Sequence, residues 1–173
     1  MLKTSKRMNE MNEQIADMFK GVQALVELSH SASKARGWWH DPITGKSLIP
    51  AAEPMSSATW PNYEEAAIIS AWFPYVVATK IALIHSETSE GLEAFRTDAM
   101  DDKIPGFAGI TAEMADVLIR VGDLMGMLKD YQESEPSAFA YNLAAAIEAK
   151  MLVNAVRPDH NPEARRKAGG KKF

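Results

Sequence analysis

Two pairs of acidic residues, each on an amphipathic helix, constrain this chain more than any other feature. In residues 80–96 apolar side chains recur at steps of three and four, which predicts a helix with one apolar stripe. Glu87 falls inside the widened arc of that stripe, and Glu90 lies at its edge, one turn or about 4.5 Å further along the axis. A second periodic segment, residues 110–128, carries Glu113 and Asp116 with the same spacing. A carboxylate on a core-facing arc costs free energy unless a cation or hydrogen bonds compensate it, and two carboxylates held close together also repel each other.

Packing the two helices through their apolar faces brings the two acidic pairs together. Four carboxylates around one cavity form an all-oxygen site, which suits Mg²⁺ or Mn²⁺. We therefore predict that Glu87, Glu90, Glu113 and Asp116 bind a divalent metal ion.

Composition limits the alternatives. A chain of 173 residues corresponds to one domain with tails, and the absence of cysteine excludes disulfides and thiolate metal sites. The net charge of -4 gives no reason to expect a nucleic acid polymer as partner. The longest apolar run, residues 66–84, is interrupted by Pro74 and Lys80, which favours a buried core helix over a membrane span. We expect a cytoplasmic protein.

The whole pattern is all-α. Periodicity and capping signals predict helices over residues 9–29 and 62–71, a long helix that Pro74 starts or kinks, the helix with Glu113, and a last helix from Ser134 to about Ala155. We predict one structural domain with two regions. Residues 1–73 hold the N-terminal helix, a Trp-rich loop and the short helix, and residues 74–173 hold the core and a basic tail.

The Trp-rich loop carries Trp38 and Trp39 between turn signals. Two interpretations are open: the rings pack over the end of the helical bundle, or they offer a face on which a nucleobase stacks.

The order Glu87-x-x-Glu90, a gap of some twenty residues and Glu113-x-x-Asp116 resembles the metal-binding signature of the MazG-type all-α nucleoside triphosphate pyrophosphohydrolases. The amino-acid sequences of residues 80–90, 101–105 and 113–120, and of the tail, resemble those of the MazG-like branch found in bacteria and their phages. The resemblance covers roughly residues 74–173.

This resemblance implies a four-helix core completed by dimerisation, and therefore a homodimer or homotetramer. It also implies Mg²⁺-dependent hydrolysis of an NTP or dNTP to the monophosphate and pyrophosphate. By analogy with the family, a glutamate of the first pair, Glu87 or Glu90, is the catalytic general base.

Substrate contacts are also implied. Lys150, Asn154 and Arg157 lie at i, i+4 and i+7 on one helical face and match the family's Lys-x-x-x-Asn-x-x-Arg pattern; the alternative is a solvated helix end. Lys171 and Lys172 either close over the phosphates or over a neighbouring subunit, or remain solvated. Lys80, two turns before Glu87 on the same face, contacts phosphate or neutralises an acid.

Several other residues favour structural interpretations. Arg120 and Asp123 share the side of the acidic pair, which favours a salt bridge that orients the carboxylates. His85 falls on the helix flank, and Glu93 points to solvent unless it supports the metal. The main rival function is a non-enzymatic nucleotide-sensing or assembly protein on the same core, although retention of all four acids favours an enzyme. Hydrolysis of an alarmone nucleotide is a further alternative, whereas a His40-Asp41 phosphohydrolase and a ferritin-like di-iron bundle are disfavoured.

Overall fold

A computed structural model describes residues 2–50, 63–134, 141–157 and 162–166. The described residues are helical, and their extended pairing is limited to two isolated bridges. The helices are α1 Leu2–Ala35, α2 Tyr63–Arg96, α3 Gly109–Ser134, α4 Leu143–Val156 and α5 Pro162–Arg166. The prediction of an all-α protein is confirmed.

The chain forms two compact units, which we describe separately. One unit comprises Met1–Gln23 and Asn142–Phe173, and it contains the first part of α1 together with α4 and α5. The other unit, Ala24–Tyr141, contains the rest of α1, the Trp-rich loop, α2 and α3. Both predicted acidic pairs belong to this second unit.

Helices α2 and α3 form an antiparallel pair. Lys80, in the middle of α2, contacts Asp123 in the second half of α3, whereas Ala94 near the end of α2 lies against Gly109 at the start of α3. The turn over residues 97–108 connects them.

Of the apolar stripe predicted for α2, Ile84 packs on the core cluster that includes Leu124 of α3. Ile81, Leu92 and Phe95 of that stripe are exposed, so the face of α2 that packs on α3 is only partly the predicted one.

The second part of α1 crosses α3 at very short range. A Cβ atom added at Gly126 would lie 2.5 Å from the Cβ of His30, and one added at Gly122 would lie 2.9 Å from the Oγ of Ser29. Glycines one turn apart on α3 are what allow the two backbones to approach. A core cluster next to this crossing contains Trp39, Phe73, Leu124 and Met127.

Pro74 does not start a helix, so that one of its two predicted roles is wrong, and the predicted short helix and long helix are one. It lies inside the continuous helix α2. Phe73 before it and Val76 and Val77 after it pack on the same core cluster, so tertiary packing holds both sides of the proline in one helix. The loss of one backbone hydrogen bond at proline is outweighed by this burial.

The last long helix also begins later than predicted. Helix α3 continues to Ser134, and α4 begins after Asn142, whose side chain accepts a hydrogen bond from the backbone N–H of Ala145 at 3.0 Å. Asparagine is among the strongest N-cap residues, so the signal was present three residues before Ala145. The predicted position of Pro136 in a first helical turn falls outside the described residues.

Helix α2 exposes much apolar surface within its unit. Its exposed large apolar side chains are Ile68, Trp72, Tyr75, Ile81, Leu83, Leu92 and Phe95. By length and composition alone, the segment Ala67–Arg96 is also apolar enough to cross a membrane. Its most apolar stretch is only 6% buried, so the buried core helix predicted for residues 66–84 is not seen within this unit. A helix that is apolar on most of its sides is typically covered by other protein, which bears on the assembly proposed below.

Candidate metal centre

Three of the four predicted acids meet where α2 and α3 pack together. Carboxylate oxygens of Glu87, Glu90 and Glu113 all lie within 4.8 Å of one another. Glu87 is buried, Glu113 is half-buried and Glu90 is exposed, so the group is open to solvent on one side. The helical spacing that suggested this site therefore places two acids from α2 against one from α3.

Close approach of the two helices at Gly91 creates this geometry. A Cβ atom at that position would lie 3.3 Å from the Cβ of Glu113 and 2.9 Å from the terminal methyl group of Met114. Gly91 directly follows Glu90, so the position without a side chain admits the α3 glutamate beside the α2 pair. The sequence analysis did not single out this glycine.

Asp116 lies apart from the group of three. It is exposed and follows Glu113 by one turn of α3. Its negative charge nevertheless acts on Glu113, because it is one of the charges that raise the pKa of that side chain. Asp116 thus contributes to the negative field of the site without approaching the other three carboxylates as closely as they approach one another.

The electrostatics of Glu113 show that negative charge is in excess here. Burial raises the pKa of Glu113, and a hydrogen bond to Glu87, which the protonated carboxyl group donates, raises it further. The charges of Glu90, Glu87 and Asp116 act in the same direction. Such a group gains most from a divalent cation, which replaces the shared proton and removes the repulsion.

One cation of the chain already contacts the group. Arg120 on α3 forms an ion pair through its Nη2 atom with the Oε1 atom of Glu87. The Nε atom of the same guanidinium group is buried and has no hydrogen-bond partner among the described residues. The salt bridge that the sequence suggested for this side of α3 is therefore present, and it joins Arg120 to the most buried acid of the group.

Asp123 participates in a different network. Its Oδ1 atom accepts hydrogen bonds from the Trp39 indole at 2.6 Å and from the His30 ring at 3.0 Å. Its Oδ2 atom accepts from Ser33 at 2.9 Å and from Lys80 at 3.3 Å. Burial raises the pKa of Asp123, but these donors together outweigh burial, so the pKa lies below its ordinary value.

This Asp123 network extends to a second carboxylate. The other nitrogen of His30 lies 3.1 Å from the Oδ2 atom of Asp130, which also accepts a hydrogen bond from Lys34 at 2.7 Å. The ammonium group of Lys80 lies over the Trp39 ring, 3.9 Å from its centroid. The network joins the second part of α1 and the Trp-rich loop to the α2–α3 pair.

Most of this network was not predicted from the sequence. The pattern on α3 placed Asp123 beside the acidic pairs, and it gave no indication of His30 or Ser33 as partners. The available signal was local: His30, Ser33 and Lys34 recur at helical spacing near the end of α1. Their contact with Asp123 is a tertiary contact, which helical spacing does not predict. Ser33, for example, is 90 residues away from Asp123 in the sequence.

The two tryptophans of the Trp-rich loop differ in burial. Trp39 is buried and donates to Asp123, so it packs within the unit. Trp38 is exposed. Lys80 was predicted either to contact phosphate or to neutralise an acid, and its ion pair with Asp123 agrees with the second of these roles.

The remaining predicted residues lie elsewhere or outside the description. Lys150 and Asn154 are exposed on α4, and Arg157 caps its end, in the other compact unit. Lys171 and Lys172 fall outside the described residues. His85 is exposed on α2, and Glu93 pairs with Arg96 on the surface, away from the group of three.

The His40-Asp41 pair does not resemble a metal site in this structure. His40 is exposed, and Asp41 accepts hydrogen bonds from the backbone N–H groups of Ile43 and Thr44 in a tight turn. Asp41 is thus occupied in shaping its loop.

Comparison of the chain with protein-family models, with curated proteins and with solved structures finds no significant match. The function proposed next therefore depends on the residues of this chain and on their geometry.

Proposed function

We propose that this protein is a Mg²⁺-dependent nucleoside triphosphate pyrophosphohydrolase, which converts an NTP or dNTP and water to the monophosphate and pyrophosphate. The observation that carries the proposal is the group formed by Glu87, Glu90 and Glu113, three carboxylates from two helices within 4.8 Å. The order and spacing of these acids, which resemble those of the MazG-type enzymes, select this reaction among those that Mg²⁺ supports.

The donor set fits the proposed ion. Mg²⁺ and Mn²⁺ bind hard oxygen ligands, and all three side chains offer carboxylate oxygens. The three carboxylates are close enough that a change of glutamate rotamer would bring one oxygen of each onto a shared ion. Asp116, one turn along α3, is the fourth acid of the proposed site.

Each part of the site has a role in the proposed reaction. Bound Mg²⁺ screens the charge of the phosphates and lowers the pKa of coordinated water. Glu87 is ion-paired to Arg120 and hydrogen-bonded to Glu113, so we assign it the role of a fixed ligand that positions the ion. Glu90 is exposed and has no ion pair in the described part of the chain, so it is the better placed of the two α2 glutamates to accept the proton of the attacking water.

Substrate phosphates need positive charge in addition to the metal. On the resemblance, we assign the positive charge to Lys150 and Arg157, together with Lys171 and Lys172 of the tail, and a neutral hydrogen-bond donor to Asn154. The ammonium group of Lys80 is engaged by Asp123 and lies over Trp39, so we assign Lys80 to the structural network.

We also propose that the protein is a homo-oligomer. Apolar side chains remain exposed on both helices that carry the acids, among them Leu92 and Phe95 of α2 and Leu118 and Ile119 of α3. Surfaces of this kind on a helical pair are typical of subunit interfaces. Dimerisation through them completes a four-helix core.

The test is a panel of NTPs and dNTPs assayed for pyrophosphate release with Mg²⁺, with Mn²⁺ and with a chelator. We expect release from at least one nucleotide, with both a metal requirement and a one-to-one yield of monophosphate. Absence of release from every nucleotide by a folded protein contradicts the enzyme proposal. In that case nucleotide binding measured by calorimetry decides whether the non-catalytic nucleotide-binding alternative replaces it. Alarmone nucleotides belong in the same panel, because their hydrolysis is the second enzymatic alternative.

A further inference from the structure

Arg120 occupies a position that the proposed reaction does not explain. It lies on α3 seven residues after Glu113, on the same helical face, and reaches across to Glu87 of α2. The Glu87 side chain is 9% exposed, whereas that of Arg120 is 39% exposed. The charged acid is therefore the buried partner, and the arginine is what connects it to the surface.

The charge balance of the site makes this contact important. Among the described ion pairs, Arg120 supplies the positive charge for a group of three carboxylates, with Asp116 close enough to influence Glu113. A buried carboxylate without a counter-charge is expensive, so Glu87 depends on Arg120 whenever no other cation is bound. The contact leaves the remaining negative charge of the group uncompensated.

The geometry of the contact is not the one that maximises stability. Arginine and a carboxylate pair best through two parallel hydrogen bonds, in which two guanidinium nitrogens each reach an oxygen. Here a terminal nitrogen reaches Oε1 of Glu87, and the Nε atom is buried without a partner among the described residues. A buried donor without a partner is unfavourable. Pairing through Nε is therefore not formed, and the contact of Arg120 is with the Oε1 atom of Glu87.

We infer that Arg120 is a positioning residue of the metal centre, and the inference rests on the metal site of the proposed function. By holding Oε1, Arg120 fixes the rotamer of Glu87 and directs Oε2 toward Glu90 and Glu113. Partners that orient a metal ligand typically change metal affinity by 10–100-fold when they are removed. Arg120 therefore acts on cation affinity through Glu87, before any substrate is bound.

The experiment measures Mn²⁺ binding to the full chain without nucleotide, by the electron paramagnetic resonance signal of free Mn²⁺. We expect Arg120→Gln to raise the dissociation constant about 10–100-fold. Arg120→Lys keeps the charge but lacks the planar guanidinium group, so we expect a smaller loss of roughly 3–10-fold. Arg96→Gln is the matched control, because Arg96 forms an exposed ion pair with Glu93 outside the group, and it leaves the affinity unchanged.

The outcomes separate this inference from the proposed function. Wild-type protein that binds Mn²⁺ while Arg120→Gln binds within twofold of it overturns the role of Arg120 and leaves the metal site intact. Wild-type protein that binds no Mn²⁺ overturns the metal site and this inference together. Circular dichroism checks the fold of each variant. If Arg120→Gln does not fold, Arg120→Lys decides, and affinity within twofold of wild type in that variant overturns the inference.

Discussion

Two acidic regions lie along the same pair of helices, and they differ in how their charge is compensated. At the Asp123 network, a single buried carboxylate accepts hydrogen bonds from His30, Ser33, Trp39 and Lys80. At the group of Glu87, Glu90 and Glu113, three carboxylates share one arginine. The pKa of Asp123 is lowered, whereas that of Glu113 is raised.

The difference shows which acids serve the fold and which are available for binding. A buried carboxylate surrounded by donors stabilises its own ionised form and joins the elements around it. A group with more carboxylates than donors is destabilised by its own charge until a cation binds. Both regions contain acids on apolar helices, so residue type does not distinguish them; the number of donors within reach does.

The largest effect we expect is on turnover. Removing the charge of Glu90, the proposed general base, reduces pyrophosphate release by about 10²–10⁴-fold while the unfolding midpoint stays near that of wild type. Glu90→Gln and Asp116→Asn are the informative variants, measured by steady-state assay and by thermal unfolding. Glu93→Gln is the matched control on α2, since Glu93 pairs with Arg96 on the surface. Turnover near the wild-type rate in either informative variant contradicts the assignment of that acid.

The next largest effect is on stability at the other region. Asp123→Ala leaves His30 and Lys80 without their shared buried acceptor, which costs about 3–5 kcal/mol of unfolding free energy. Urea unfolding followed by circular dichroism measures this change. Asp17→Ala, in an exposed pair with Lys20, serves as the control and changes stability by less than about 1 kcal/mol. Equal effects of the two substitutions are inconsistent with a structural network at Asp123.

Two glycine substitutions sharpen the same contrast at smaller magnitude. At Gly126 an added Cβ collides with the Cβ and ring of His30, so Gly126→Ala displaces α1 and costs about 1–3 kcal/mol. At Gly91 the nearest atom is the flexible methyl end of Met114, and the gain in helix propensity, about 1 kcal/mol, offsets the crowding. Thermal unfolding of both variants measures the difference. A Gly91→Ala variant less stable than Gly126→Ala would show that the tighter crossing lies at the metal site.

The smallest effects are those of pH, and the two regions respond in opposite directions. Because the folded pKa of Asp123 is lowered, the stability it contributes is present above the ordinary value of 3.8 and is lost as the pH falls through the folded pKa. Because that of Glu113 is raised, its contribution in the metal-free protein is present below the ordinary value of 4.5 and is lost as the pH rises through the folded pKa.

Metal binding requires ionised Glu113, so Mn²⁺ affinity rises with pH above 4.5, through the window in which Glu113 loses its proton. Titrations of Mn²⁺ at several pH values measure this slope. Glu113→Gln removes the titrating group and flattens the dependence. An affinity that is independent of pH in the wild-type protein argues against Glu113 as a ligand.

Much of the candidate site was predictable from the sequence because it depends on helical periodicity. A spacing of three residues places Glu87 and Glu90 on neighbouring turns of one side of α2. The contact of Arg120 with the acids followed from the same reasoning. Which of the α3 acids approaches most closely did not, because it depends on the close packing at Gly91.

The rest of the fold depends on tertiary contacts that local rules do not contain. Pro74 is a helix breaker by its own chemistry, yet packing of Phe73 and Val77 on one core keeps α2 continuous. The donors of Asp123 come from α1, from the Trp-rich loop and from α2, and only the folded chain brings them together. Helical spacing on α3 therefore placed Asp123 beside the acidic pair, but it did not identify the partners that give it a structural role.

The central claim is that Glu87, Glu90 and Glu113 hold one divalent cation. Crystals of the protein grown with Mn²⁺, with diffraction data recorded at the manganese absorption edge, test it most directly. We expect an anomalous peak about 2.1–2.3 Å from a carboxylate oxygen of each of the three glutamates. A map without a peak there, or with its peak at Asp123 and Asp130, contradicts the account.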